Sequence, residues 1–295
     1  MIATSLNSVP LVFTFRPSAV IDNHLLPALQ TAKMLARKMN SKLVAASVAE
    51  AGHPSWSNAF EANTGEEIRT HFIVRDELAN ANAAADLVTD RYCESAEAIV
   101  VVTHLPKSAA AKLFQHFTAN LLSVAKCPVV AVNANAPILT NIKKILFITD
   151  LASSEKEQFR RALGWAKRFD AELVIGNCLL SPWELNQSAL PRTVFDSTMI
   201  DESMMKEAHE AHEKAGVLIE EARELGVRAS FEHVSGHLSV SSGMLEAAKD
   251  LKADLIILSR NNKSRIVAAL IGSTVLEMLA EAFAPVMVLP QLSAN

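Results

Sequence analysis

The densest chemistry in this sequence lies near its end. Leu258-Ser259-Arg260-Asn261-Asn262-Lys263-Ser264-Arg265 leaves a β-branched apolar run, and Gly272-Ser273-Thr274 follows shortly after. Three cationic side chains (Arg260, Lys263, Arg265) fall within six positions of an otherwise acidic half. A loop leaving the carboxyl end of a strand is where open α/β sheets hold ligands. A Gly-Ser-Thr sequence opening a helix offers small side chains and free N–H groups, a seat for an anion. The same residues would also serve as an ordinary polar loop and helix cap.

Other motifs carry less. His209 and His212 are three residues apart with no H-E-x-x-H spacing, which reads as a solvated helix face and not a zinc helix. Ser235-Gly236-His237-Leu238-Ser239 lacks the G-x-S-x-G of a nucleophile elbow and reads as a strand-to-helix turn. There is no G-x-G-x-x-G after a strand and no Walker loop. No nucleophile–base pair or pair of carboxylates can be nominated for catalysis.

The elements that must position these residues come in two copies. Each half opens on a short apolar run, Leu11–Phe15 and Ile145–Thr149. Each continues into a helix that ends alike, LARKMNSKLVAASV and WAKRFDAELVIGNC. Each later shows a β-branched run, AEAIVVVTH and ADLIILSR, and closes on a Pro-led strand, CPVVAVNA and APVMVLPQ. Strands without polar alternation, separated by helices, predict parallel sheets buried on both faces. Ser154 to Glu157 has the pattern of a capping box, followed by an apolar face of Phe159, Ala162, Leu163, Ala166 and Phe169. The second copy gains 26 residues between its second and fourth strands, about a helix and a loop. That helix is expected from about Glu202 to Leu225, with Met205, Ala208, Ala211, Ala215, Leu218, Ile219 and Ala222 on its buried face and Gly226 as its stop. The loop before it, Ser181–Met199, is long for a simple connection and suggests a cover over the second-half site.

Half the residues are hydrophobic and 20% are charged, enough apolar material for two cores and too much for a disordered chain. The net charge of −4 and a single tyrosine argue against a nucleic-acid partner. No apolar run approaches the roughly 18 residues of a membrane helix, and no signal peptide is read at the start. Cys93, Cys127 and Cys178, odd in number and widely spaced, read as reduced core thiols of a cytoplasmic protein.

On these residues the sequence resembles the universal stress protein family in tandem form, across nearly the whole chain. In nucleotide-binding members of that family the fourth strand is followed by G-x-x-G, nine residues, then G-[S/T]. The resemblance implies that Thr149 and Asp150 hold a ribose and that Cys178 lies at the adenine-facing end of the second strand. It implies that Leu258, Ser259, Arg260 and Asn262, with Gly272, Ser273 and Thr274, cradle the phosphates of ATP or another adenine nucleotide. Ser259 and Asn262 stand at the two early glycine positions, so a Cβ and a hydroxyl occupy the place where glycine permits close backbone approach. In the first copy the corresponding positions hold Arg16, Thr103, Pro106 and Gln115–Phe117, which implies a structural partner without a site.

The expected architecture is two tandem, doubly wound, five-stranded parallel-sheet domains, flavodoxin-like or adenine-nucleotide-hydrolase-like, at residues 1–137 and 138–295. The expected function is a non-catalytic stress-response role through adenine-nucleotide binding in the second domain and through protein partners. The alternatives are an interaction protein of the same fold that binds no nucleotide, and an ATP-hydrolysing enzyme. The last would need a base or metal carboxylate beside the phosphates, where only Asp150 is placed to help. The Pro-led strands Pro128–Val132 and Pro285–Leu289 are expected to pair antiparallel and join the copies as an internal pseudo-dimer.

Overall fold

The computed structural model describes residues 10–15, 25–50, 69–75, 81–103, 109–152, 155–179, 197–235, 240–259, 279 and 281–290. The first repeat contributes β1 (Leu11–Phe15), α1 (Leu26–Met39), β2 (Leu43–Glu50), β3 (Arg69–Arg75), α2 (Ala81–Tyr92), β4 (Ala98–Thr103), α3 (Ala109–Val124) and β5 (Val129–Asn133). The second contributes β6 (Lys144–Thr149), α4 (Lys156–Phe169), β7 (Glu172–Leu179), α5 (Ser197–Glu224), β8 (Ala229–Ser235), α6 (Val240–Asp250), β9 (Leu255–Ser259) and β10 (Val286–Leu289). Each repeat thus supplies five strands, and the fold is of the α/β class with a mostly parallel sheet.

Internal contacts group the chain into two units, Met1–Asn141 with Leu279–Asn295, and Ile142–Met278. In the first unit the strand order is β3-β2-β1-β4-β5-β10. Its first five strands are parallel to one another, whereas β10 pairs antiparallel with β5, Val286 opposite Ala131 and Met287 opposite Val130. In the second unit the order is β9-β6-β7-β8, all parallel. A division at 137/138 would leave β10 with the second repeat. Its ladder to β5 groups it with the first unit.

The buried strands explain the unbroken apolar runs. Every residue of β4, β5 and β9 is buried, as a sheet covered on both faces requires. In the second unit Phe159 of α4 meets Phe147 of β6 at 6.2 Å between ring centroids. The face of α4 is the expected one, Phe159, Ala162, Leu163, Ala166 and Phe169, joined by Gln158 and Trp165.

The repeat is visible in bond detail. Helices α1 and α4 both end in a left-handed residue, Asn40 at φ 51° and Asp170 at φ 54°. In each, that residue donates to the carbonyl three positions back, at 3.3 Å. The following residue, Ser41 or Ala171, donates to Ala36 or Ala166 at 2.9 Å. This is the Schellman arrangement, and Asn and Asp are the non-glycine residues that best tolerate the left-handed region.

Helix α5 departs from expectation at its start. It begins at Ser197, earlier than Glu202, and takes up the last residues of the segment expected to be a loop. Residues 180–196 lie outside the described residues, and with them most of the expected cover. Met205 is 75% exposed, while Ala211, Ala215, Leu218 and Ala222 are buried. A helix of 28 residues spans about 42 Å, longer than the seven- and eight-residue strands it packs on, so Met205 lies beyond the part of the helix whose face is buried among the described residues. Gly226 takes φ 75° just past the helix end, as a C-terminal stop should.

Candidate functional site

Because β6, β7 and β9 run parallel, their carboxyl ends reach one edge of the second unit. The chain passes from β6 to β7 and β8 on one side, then crosses to place β9 on the other. The crevice between the ends of β6 and β9 is therefore the topological switch point, the place where open α/β sheets accommodate ligands. Ile148 of β6 is in register with Leu258 of β9, and Thr149 with Asn177 of β7. This sets Thr149, Asn177 and Ser259 along one edge.

A buried carboxyl spans that crevice. The Thr149 hydroxyl donates to Glu155 Oε2, and the Ser259 hydroxyl donates to Glu155 Oε1 at 2.5 Å. All three residues are at most 3% exposed. Glu155 is the residue from which α4 starts, and its own N–H donates to the carbonyl of Ala152 at 2.9 Å. Burial pushes its carboxyl above the usual carboxylate range, opposed by the hydrogen bonds from Ser259 and Thr149 and reinforced by the negative charge of Asp150.

The turn from β6 to α4 is tightly bonded. Leu151 sits in the left-handed region at φ 56°, a conformation that costs a leucine on the order of 1–3 kcal/mol. The two side chains that precede it hold it there. Thr149 Oγ1 accepts from the Leu151 N–H at 3.0 Å, and Asp150 Oδ1 accepts from the Ala152 N–H at 2.9 Å. Asp150 is half-buried at the rim. Backbone strain of this kind concentrates at ligand clamps.

At the end of β7, Asn177 Nδ2 donates to the Thr149 carbonyl at 3.0 Å. Its Oδ1 is buried and has no hydrogen-bond partner among the described residues. An unmet buried acceptor costs about 1–3 kcal/mol.

Of the residues nominated from the sequence, Thr149, Asp150 and Ser259 meet at this edge, and Leu258 is a core residue of β9. Cys178 is in β7, next to Asn177, with its side chain outside the described residues. Arg260, Asn262, Gly272, Ser273 and Thr274 lie outside the described residues, as does Ser154 of the expected capping box. The residue before α4 is Glu155, and it makes no side-chain cap bond. Its carboxyl turns instead into the crevice, where two hydroxyls compete successfully for it. Glu155 and Asn177 were not nominated. Glu155 was hidden in a run of charged residues, and Asn177 in an apolar run whose one polar member gave the only hint.

The first unit has no such carboxyl at the equivalent strand end among its described residues. Thr103, which corresponds to Ser259, donates to the carbonyl of Leu279 at 3.0 Å. Arg16 and Pro106 lie outside the described residues. On α5, His209 is exposed beside Glu213 at 3.6 Å, and His212 packs edge-on against Phe231. Among the described residues no group of three or more His, Cys, Asp or Glu could hold a metal ion, and no helix is long and apolar enough to cross a membrane.

Comparison with known proteins gives the family and the fold. Residues 141–290 match the profile of the Universal stress protein family. A universal stress protein of Methanocaldococcus jannaschii is 28% identical over 156 residues, covering 50% of this chain and 81% of that protein. The fold is shared with a universal stress protein of Archaeoglobus fulgidus, at a TM-score of 0.57 and 14% identity, covering 96% of this chain and 97% of that one. It is shared also with a functionally unknown protein of Pseudomonas aeruginosa, at a TM-score of 0.58 and 16% identity, covering 96% and 93%.

Proposed function

This chain belongs to the universal stress protein family, and from that premise we propose that it serves the stress response as a binding protein without turnover, its ligand an adenine nucleotide held by the second unit. The site is the β6/β9 switch point. By the family resemblance Thr149 and Asp150 are assigned to the ribose, Cys178 with its neighbour Asn177 to the base, and Ser259, Arg260, Asn262, Gly272, Ser273 and Thr274 to the phosphates, with Leu258 buried behind the strand end. The observation that carries this reading is the unpartnered Oδ1 of Asn177, buried at that edge. An exocyclic amine is a donor of the kind it lacks, so a bound adenine would relieve its cost. The strained turn at Leu151, fixed by Thr149 and Asp150, supports the same place.

A second reading has its own observation. A buried Glu155 carboxyl at the switch point, when ionised, repels phosphate, which favours an interaction protein of this fold that binds no nucleotide. In either reading the chain acts through protein partners in the cytoplasm, and its two repeats associate as an internal pseudo-dimer through β5 and β10. The antiparallel register of those strands supports that association.

Mass spectrometry of small molecules released from freshly purified protein, followed by calorimetric titration of ATP, ADP and AMP, tests the first reading. Binding should weaken at least tenfold, about 1.4 kcal/mol, in Asp150→Ala and in Asn177→Ala. Absence of binding to the intact chain favours the second reading, whereas binding that survives both substitutions unchanged overturns the assignment of the site.

A further inference from the structure

The first unit, where the nucleotide pattern is lost, contains a chemical feature of its own. Cys93 follows α2 directly, its N–H donating to the carbonyl of Thr89 at 2.9 Å. Cys127 immediately precedes Pro128, whose carbonyl accepts from Ile99 of β4 at 2.9 Å, so it is held at the start of β5. Although 34 positions apart in sequence, the two thiol sulfurs are 2.9 Å from each other and hydrogen-bonded. Both residues are buried, 6% and 4% exposed.

We propose that Cys93 and Cys127 are a peroxide-responsive dithiol that closes into a reversible disulfide within the first unit. A disulfide needs its sulfurs at about 2.05 Å, so the pair must close by about 0.9 Å, within reach of side-chain rotation. The nucleophile is Cys93. The hydrogen bond with Cys127, joined by backbone hydrogen bonds from Cys127 and Lys126 and by the Thr89 hydroxyl, pulls its thiol down to about 6 against the opposing effect of burial, which favours Cys93 as the thiolate of the pair. Hydrogen peroxide is uncharged and little larger than water, an oxidant of a size suited to a buried pair.

The chemistry balances in two steps. Cys93 Sγ attacks one oxygen of hydrogen peroxide. The O–O bond breaks, the other oxygen leaves as water, and Cys93 becomes a sulfenic acid, oxidised by the two electrons that reduce the peroxide. Cys127 Sγ then attacks Cys93 Sγ. The S–O bond breaks, and a second water leaves with the Cys127 proton. Two thiols and one peroxide become one disulfide and two waters, and an external dithiol reverses the change. The bond would tie the end of α2 to the start of β5, the strand that pairs with β10.

The test uses the full chain, reduced, freed of reductant, exposed to hydrogen peroxide, quenched in acid and alkylated after denaturation. Alkylated cysteines should fall from three to one, and a non-reducing peptide map should contain a Cys93–Cys127 cross-link that dithiothreitol removes. Cross-linking should be at least tenfold faster in the native chain than in urea, because folding places the thiols together. Retention of three alkylated cysteines, a cross-link to Cys178 or between chains, or equal rates in urea would overturn the proposal. In Cys127→Ser, dimedone should trap the sulfenic acid on Cys93, and its absence from a folded variant counts against Cys93 as nucleophile. If that variant does not fold, the peptide map of the unaltered chain decides.

Discussion

Replacing Glu155 with glutamine isolates the buried charge from the contacts that surround it. In the native site the carboxyl accepts from both Thr149 and Ser259. Thr149 Oγ1 also accepts from the Leu151 N–H, which leaves its own proton for Glu155. A glutamine can reproduce both contacts, its Oε1 accepting from Thr149 and its Nε2 donating to Ser259. Each becomes a neutral hydrogen bond, worth about 0.5–1.5 kcal/mol where the charged one is worth about 1.5–3, but the desolvation of a carboxylate disappears. The net change at neutral pH should lie within about 1 kcal/mol of the native protein. Glu155→Ala removes both contacts and strands the Ser259 hydroxyl, and should cost roughly 2–4 kcal/mol. The pH dependence has a definite sign. Because burial raises the folded carboxyl above its unfolded value, the group costs no stability below the ordinary carboxylate range, where both states are protonated. As pH rises, the unfolded state loses its proton first, and stability declines until the folded carboxyl has also ionised. Urea unfolding from mildly acidic to neutral pH should therefore show a falling contribution that Glu155→Gln abolishes. The probe is Trp165, buried in α4 and stacked on Phe169 at 5.8 Å, read with Trp56 and Trp183 replaced by Phe. A glutamine variant as damaged as the alanine one, or one with an unchanged pH slope, would refute the account of Glu155 as a raised, buried acid.

Further outcomes follow from other contacts. Ser259→Gly, which places glycine at the first position of the pattern that the family resemblance implies, should destabilise the second unit by about 2–4 kcal/mol, because it removes a donor to Glu155 and loosens a strand end; calorimetry should then show whether any gain in ATP affinity accompanies the loss. Asp254 accepts from the N–H groups of Lys143 and Lys144 at 2.7 and 3.0 Å, so Asp254→Ala should cost about 1–2 kcal/mol by Trp165 fluorescence, and no loss would mean that solvent replaces it at this partly exposed site. The Cys93–Cys127 disulfide, once formed, closes a loop of 34 residues and should stabilise the first unit by roughly 3–4 kcal/mol in urea, whereas equal midpoints for oxidised and reduced protein would show a strained bond. Val130→Pro removes an N–H from a strand paired on both sides, with Val100 and Met287, and should lower the first unit's melting temperature sharply; a melting temperature equal to that of the native chain would deny the β5–β10 ladder its structural weight.

The α/β class was legible because it is written locally. Apolar runs without alternation gave the strands, and the paired phrases ending α1 and α4 gave two helices that stop in the same left-handed turn at Asn40 and Asp170. What escaped were contacts that only the assembled sheet creates. Ser259 and Glu155 are 104 positions apart, and Cys93 and Cys127 are 34 apart, so no local pattern joins them. Glu155 sits in Ser154-Glu155-Lys156-Glu157, where neighbouring charges suggest a solvated helix start, and only the crossing of β9 beside β6 shows that it is enclosed. The expected face of α5 failed at Met205 for a related reason. Periodicity reports which residues share a side, not how far the opposing sheet extends.

The place of β10 has a consequence for how the chain is made. The first unit's outer ladder joins β5, which ends at Asn133, to β10, which begins at Val286. About 150 residues must be translated between them, roughly 8–30 s at 5–20 residues per second. For that interval the first unit can fold its five parallel strands, but β5 carries an unpaired edge while the second unit emerges and folds in between. An open edge is what chaperones shield and what other nascent chains can invade. A ribosome that stalls anywhere before Val286 releases a chain whose first unit bears this edge permanently. The four-residue strand β10 thus seals the β5 edge only once Val286–Leu289 has been made, and chains that lack it differ from chains that carry it by an exposed surface that quality control can recognise.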